Sequence, residues 1–407
     1  MAACTRAAAP QVKPGIDVLL GDSAHLVTGL RVGLLTNQTG VDRSGRRDVD
    51  RLRAAGVRVT ALFSPEHGFL GTEDRPGLPD AVDPATGLPI YSLYGGARTP
   101  TLAALDSLDV LVIDLQDIGG RAYTYVSFGV QLMREAARRG HRVVVLDRPN
   151  PLGGVLVQGN VRPAPAPPEV RVSILPVAMR HGMTLGELLR LANDAYGIDA
   201  ALTVVPAAGW RRAMLFDETG LPWVRPSPNM PDLESALHYP GTCLFEYTGL
   251  SVGRGTPFAF QVIGAPWLDP VRVLGHVAGA GSGERSQKGA GSRERSATAG
   301  VEISVIEFTP HEPTDSKYGG IKLHGIRLRV TDRATYDPTR LAVALLAAIR
   351  AVHPDSLQFR ETAFDRLAGG PELRAAIVSG RSPEAIWTEW DAALEQFRRA
   401  RGAYLLY

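Results

Sequence analysis

The run Ser64-Pro65-Glu66-His67-Gly68 closes an apolar stretch and sets a carboxylate beside an imidazole. Apolar neighbours withdraw a carboxyl group from water and raise its pKa, which suits a general acid near neutral pH. Pro65 fixes the chain's approach to Glu66, and the glycines that follow keep its surroundings uncrowded. His67 reads as the residue that orients this loop by hydrogen bonding. Three other apolar runs end in the same way. One stops at Asn37. Another stops at Asp114, Gln116 and Asp117, followed by Gly119, Gly120 and Arg121. The last stops at Asp147, Arg148 and Asn150. Asp147 and Arg148 are expected to pair and brace their proline-bounded loop, and Asp114 to cap a neighbouring loop. Tyr123 and Tyr125 stand where a helix begins, and aromatic rings at a cleft mouth stack on sugar or base faces. Arg180 and His181 precede a helix start, where backbone N–H groups favour an anion. Asn229 and Arg254 lie in rigid loops, "RPSPNMP" and "SVGRGTPF", as ligand-facing groups. Glu246 or Asp117 could supply the second carboxylate of a glycosidase pair.

These residues need a scaffold, and the periodicity supplies one. Short apolar runs at Arg31–Asn37, Val57–Ser64, Asp109–Asp117 and His141–Pro151 alternate with helical patterns at Arg46–Gly56, Thr99–Leu108 and Tyr123–Gly140. Apolar strands alternating with helices predict a parallel sheet covered on both faces. Ligands of such sheets bind outside the carboxyl ends of the strands, where the polar exits converge. The expected fold is therefore α/β: a Rossmann-like parallel-sheet domain over 12–165 and a second, smaller α/β domain over 166–407. The proline-rich stretch Arg162–Val170 is a linker or surface strap. Thr184 and Glu187 form a capping box at the next helix. Gly279–Gly300 nearly repeats itself and carries no apolar anchor, so it is expected to be a disordered insertion.

Composition excludes several classes. The net charge is +2 and the lysines number four, so no basic footprint for nucleic acid exists. Two cysteines rule out a disulfide framework and a thiolate zinc site. Glu66, His67, Asp114, Asp117 and His181 would suit a metal, but HxH, HxxxH and HExxH spacings are missing, and no metal is expected. The glycine fingerprint of dinucleotide sites is missing after the first strand, so no cofactor is expected. No apolar run is long enough to span a bilayer. "AAC" at Cys4 resembles the end of a bacterial lipoprotein signal, which would make the protein exported or periplasmic and lipid-anchored if the start lies upstream; the alternative is a plain cytoplasmic start.

Eight motifs in order carry a resemblance: "SPEHGF", "DLQDIGGRAYTY", "LDRPNP", "RHGMTLGEL", "PSPNMP", "YPGTCLFE", "SVGRGTPF" and "IGAPW". From about Gly15 to the C-terminus the chain resembles the bacterial exo-β-N-acetylmuramidases, glycosidases of peptidoglycan recycling. The resemblance implies a Rossmann-like catalytic domain beside a second α/β domain. It also implies metal-free release of N-acetylmuramic acid from the non-reducing end of cell-wall fragments, with Glu66 as the catalytic acid. Arg180, His181 or Arg254 would then meet the lactyl carboxylate, and for the second role Glu246 or Asp117 could activate water or act as nucleophile, or the sugar's own 2-acetamido group could attack. "EYTGLSVGRGT" departs from the family's usual small residue and asparagine at Tyr247 and Gly249, which bears on the aglycone. The rival readings are a metal-dependent hydrolase and a non-catalytic muropeptide- or sugar-binding protein.

Overall fold

The computed structural model describes residues 11–95, 99–167, 169–280 and 296–407. Cys4 and most of the Gly279–Gly300 repeat lie outside the described residues. The strands of the first part are β1 (Arg31–Thr36), β2 (Arg58–Ser64), β3 (Ala81–Val82), β4 (Pro89–Ser92), β5 (Val110–Asp114), β6 (Arg142–Leu146), β7 (Gln158–Val161), β8 (Ala178–Arg180) and β9 (Leu202–Val205). Seven of them form one sheet in the order β3-β4-β2-β1-β5-β6-β9. Every pairing in it is parallel except β3 with β4. The mixed, mostly parallel α/β architecture is the one the apolar runs predict.

Period-2 alternation explains the two cores. Leu35, Leu111, Ile113, Val143 and Val145 point to one face. Val32, Leu34, Val110, Val112, Val144 and Leu146 point to the other. Both sets are buried, so no face of the central strands meets water. The helices α1 (Gly15–Asp22), α2 (Asp48–Ala54), α3 (Thr99–Asp106), α4 (Tyr125–Arg138) and α5 (Leu185–Ala195) accompany the sheet. Thr184 and Glu187 make both bonds of the capping box at α5.

One expectation meets different geometry. A division at 165/166 would cut the crossover from β6 through α5 to β9, because β9 pairs in parallel with β6 from Val143↔Leu202 to Leu146↔Val205. The proline-rich stretch is a strap within the first part: Ala166 N–H donates to Ile174 O, and Tyr196 Oη donates to Ala166 O.

The second part is built on an antiparallel sheet of β10 (Val262–Ala265), β11 (Val301–Phe308) and β12 (Leu323–Val330), in the order β10-β12-β11. The run "IKLHGIRLRVTD" supplies one strand, β12. Helices α6 (Leu233–Thr242) and α7 (Pro270–Ala280) pack on β12, and α8 (Pro338–Val352) packs on both helices. Gly241 lets α6 meet the start of α8: a Cβ there would stand 1.9 Å from Pro338 O. The apolar core of the first part runs on into this one without a break. The chain end returns to the first part, where Tyr407 Oη donates to Asp147 Oδ2 at 2.8 Å. Among the described residues no helix is long and apolar enough to cross a membrane.

Candidate active site

The strand order runs outward from β1 in both directions, so a crevice opens at the carboxyl ends between β1 and β5, next to the exit of β2. At the β1 exit, Asn37 Nδ2 donates to Tyr125 Oη at 2.7 Å, and Asn37 Oδ1 accepts from Thr39. At the β5 exit, the Gln116 amide donates to Asp117 O and Pro149 O. These two amides join the loops of the crevice to one another. Tyr123 is buried, its ring 4.7 Å from Tyr125 and 5.9 Å from Tyr239. The three tyrosines make a floor that links the first part to the second.

Glu66 stands at one end of this floor. Thr124 Oγ1 donates to Glu66 Oε2 at 2.6 Å. The Tyr94 phenol is pushed up by burial, by the charge of Glu66 and by a hydrogen bond to it. The Thr124 hydroxyl thus fixes one oxygen of the carboxylate, with the Tyr94 phenol close by. The backbone turns sharply after Glu66, since His67 has φ +71°. The His67 ring holds that turn: Nδ1 is 2.8 Å from Glu73 O and 3.4 Å from Asp74 Oδ1. Both neighbours are acceptors, so Nδ1 carries the proton.

The facing wall comes from the second part. Arg254 donates to Glu246 Oε1 from Nη2 at 2.5 Å and from Nε at 3.0 Å. Its Nη1 donates to Asp74 Oδ2 at 3.0 Å, which crosses back to the Glu66 loop. Burial opposes the charge on Arg254, but Glu246 and Asp74 overcome it and hold the guanidinium above its ordinary range. Asn229 Nδ2 donates to the same Asp74 oxygen at 2.6 Å. The phenols of Tyr239 and Tyr247 are raised, first by burial, and the charges of both Glu66 and Glu246 act on each. The contacts from His67 to Asp74, Asp74 to Arg254 and Arg254 to Glu246 tie the loop of one carboxylate to the other.

Other expected site residues lie elsewhere. Arg121 is 4% exposed and donates to Asn160 O, Val177 O and Ala368 O; burial lowers it to about 9. Arg180 is 2% exposed and donates to Leu152 O and Gln158 Oε1; burial lowers it to about 10. Both guanidiniums are interior struts. His181 is buried, and burial together with Arg401 and Arg121 drives it down to about 3. Its Nδ1 accepts from Met183 N–H, so the neutral ring turns Nε2–H toward Asp117 Oδ1, 3.7 Å away. Burial pushes Asp117 up to about 7, and its Oδ1 accepts from Gly119 N–H at 2.7 Å. The expected Asp147–Arg148 brace is replaced by two separate contacts. Arg148 Nη2 donates to Asp114 Oδ2 at 2.9 Å. Asp147 accepts from Thr184 Oγ1 and Gly186 N–H at the start of α5, and burial pushes it up to about 6. Both residues lie just past the end of β6, where Asp147 turns to the start of α5 and Arg148 turns to the end of β5, so the two do not meet.

Sequence reasoning missed Thr124, Tyr94 and Asp74. Thr124 sits between the two tyrosines that were singled out. Tyr94 follows β4, a strand exit that the apolar periodicity does not mark. Asp74 lies in "GTEDRPG", which carries no signal by itself. Among the described residues no three His, Cys, Asp or Glu side chains group so as to hold a metal ion.

Fold and site together define a two-part α/β protein whose cleft sets carboxylates from both parts around buried phenols, the inventory for acid–base cleavage of a polar bond. The chain belongs to the exo-β-N-acetylmuramidase family: the model of the N-terminal part of exo-β-N-acetylmuramidase NamZ matches residues 32–234, and that of the C-terminal part matches residues 237–407. It is 39% identical over 403 residues to the peptidoglycan β-N-acetylmuramidase NamZ of Bacillus subtilis, covering 98% of this chain and 92% of that one. Crystal structures of two DUF1343 family proteins from Bacteroides fragilis share the fold. One superposes with a TM-score of 0.84 at 32% identity, covering 98% of this chain and 99% of that one. The other superposes with a TM-score of 0.73 at 28% identity, covering 97% and 99%.

Proposed function

We propose that the protein is an exo-acting β-N-acetylmuramidase that releases N-acetylmuramic acid from the non-reducing end of peptidoglycan fragments. The observation that carries this is the Glu66 carboxylate, held by the Thr124 hydroxyl and linked through His67, Asp74 and Arg254 to Glu246. Family membership supports the sugar and the bond. Glu66 gives its proton to the bridging oxygen as positive charge develops on the anomeric carbon. Glu246 takes the second carboxylate role, because Asp117 is only 5% exposed beneath the floor. Of the cations first considered for the lactyl carboxylate, Arg254 alone reaches the cleft, and Asp74 and Glu246 already occupy it. We assign that carboxylate to Arg360, which is exposed, lies 5.9 Å over the Tyr247 ring and forms no ion pair among the described residues.

The test compares 4-nitrophenyl N-acetylmuramide with its N-acetylglucosaminide counterpart and with a muramyl disaccharide. Release from the muramides and not the glucosaminide is expected. Glu66→Gln should lower kcat by about 10²–10⁴ on the disaccharide, whose leaving sugar needs a proton. The loss should be smaller with nitrophenol as leaving group. Binding without product from any muramide would leave a sugar-binding protein instead.

A further inference from the structure

The loop bearing Glu66 is held in an unusual way. Its tip is not anchored by burial, since Leu70 is 67% exposed. Its polar anchor is Asp74, whose side chain is 15% exposed. One carboxylate oxygen faces the His67 Nδ1–H that fixes the turn after Glu66. The other accepts from Asn229 Nδ2 at 2.6 Å and Arg254 Nη1 at 3.0 Å. Both of these donors also reach Thr314 Oγ1 at 3.3 Å. Arg254 in turn grips Glu246. One unbroken chain of polar contacts therefore runs from the residue after Glu66 to Glu246, and Asp74 is the link that crosses the cleft.

We propose that Asp74 is a positioning residue that sets Glu66 and Glu246 in register and shares Arg254 with Glu246; this rests on the glycosidase reading above. Sharing matters electrostatically. Two carboxylates on one guanidinium leave the cluster with a net negative charge, which favours a cationic transition state more than a neutral ground state. With Asp74 neutral, the guanidinium would cancel the charge of Glu246 and leave no such excess. Sharing also matters geometrically, because a misplacement of about 1 Å costs on the order of 10²-fold in rate.

The experiment is steady-state kinetics of Asp74→Asn on the 4-nitrophenyl muramide and the disaccharide, with thermal unfolding in parallel. The amide keeps the size of the side chain and removes its charge. The expected result is a fall in kcat of about 10-fold to 100-fold, KM within about threefold by the same reasoning, and an altered pH profile of kcat. An unchanged kcat, a rise in KM alone, or a lowered melting temperature with a wild-type pH profile overturns the proposal. Should Asp74→Asn not fold, Asn229→Ser loosens the same carboxylate without changing a charge, and an unchanged kcat there overturns it too. A wild-type protein inactive on every muramide removes the functional reading and this one with it. That outcome is distinct from an active wild type with unaffected variants.

Discussion

Thr124→Val isolates the support of the proposed acid. Thr124 is the N-cap residue of α4, yet its side chain makes no capping bond. Its hydroxyl donates instead to Glu66 Oε2 at 2.6 Å, inside the range of charge-assisted O–H···O contacts. Valine matches threonine in shape, so the helix start loses no cap bond and the packing stays filled. A hydrogen bond to a charged group contributes about 1.5–3 kcal/mol. At about 1.4 kcal/mol per factor of ten, losing all of it in the transition state would cost roughly 10-fold to 150-fold. The Tyr94 phenol stays beside the carboxylate, which places the expected fall in kcat toward the lower end, about 10-fold to 50-fold by the same conversion. KM should hold, because Thr124 supports Glu66 rather than the sugar. Thr124→Ser restores the hydroxyl and should restore kcat. The assay is turnover of the muramyl disaccharide under saturation, with melting temperatures showing equal folding. A folded Thr124→Val with kcat within about twofold of wild type, far below the cost set by the hydrogen bond, would refute the reasoning.

Two further predictions concern the buried charges beneath the site. Burial raises Asp117 to about 7 in the folded protein, above its unfolded value, so the folded state binds more protons between the two. Stability is then full below the unfolded pKa and falls as pH rises toward 7, by at most about 1.4 kcal/mol per pH unit. Asp117→Asn should flatten this slope in urea melts from pH 5 to 8, and an unchanged slope would contradict the assignment. Arg148 is 5% exposed and neutralises Asp114, which has no exposure, next to Asp48. Burial, and then the charge of Asp114, push Asp48 well above the carboxylate range. Arg148→Met should cost about 3–5 kcal/mol. The loss should be larger at pH 8 than at pH 5, where the stranded carboxylates can take up protons; a pH-independent loss would argue against a charge origin.

Some of the site was legible one residue at a time. Glu66, Asn37 and Gln116 all follow apolar strands, and strand exits are where an open parallel sheet binds ligands. Arg121, Arg180 and His181 follow the same logic, yet the fold closes over all three. A lone arginine beside a strand or helix end looks the same in sequence whether it faces a ligand or a carbonyl. The β9 strand shows the same limit: Leu202–Val205 is legible as a strand, but its partner across the sheet is not.

Local pattern settled the α/β class, the strand exits and the capping box at α5, because each depends on side chains within a few positions of one another. The motif order settled the family. Tertiary structure alone decided that Thr124 and Tyr94 would converge on Glu66, that Asp74 would bridge to Arg254, and that Asp147 and Arg148 would part company. Asp74 and Arg254 are 180 residues apart in the chain. Contacts at that separation are set by how the two cores pack, and they leave no periodic trace along the sequence.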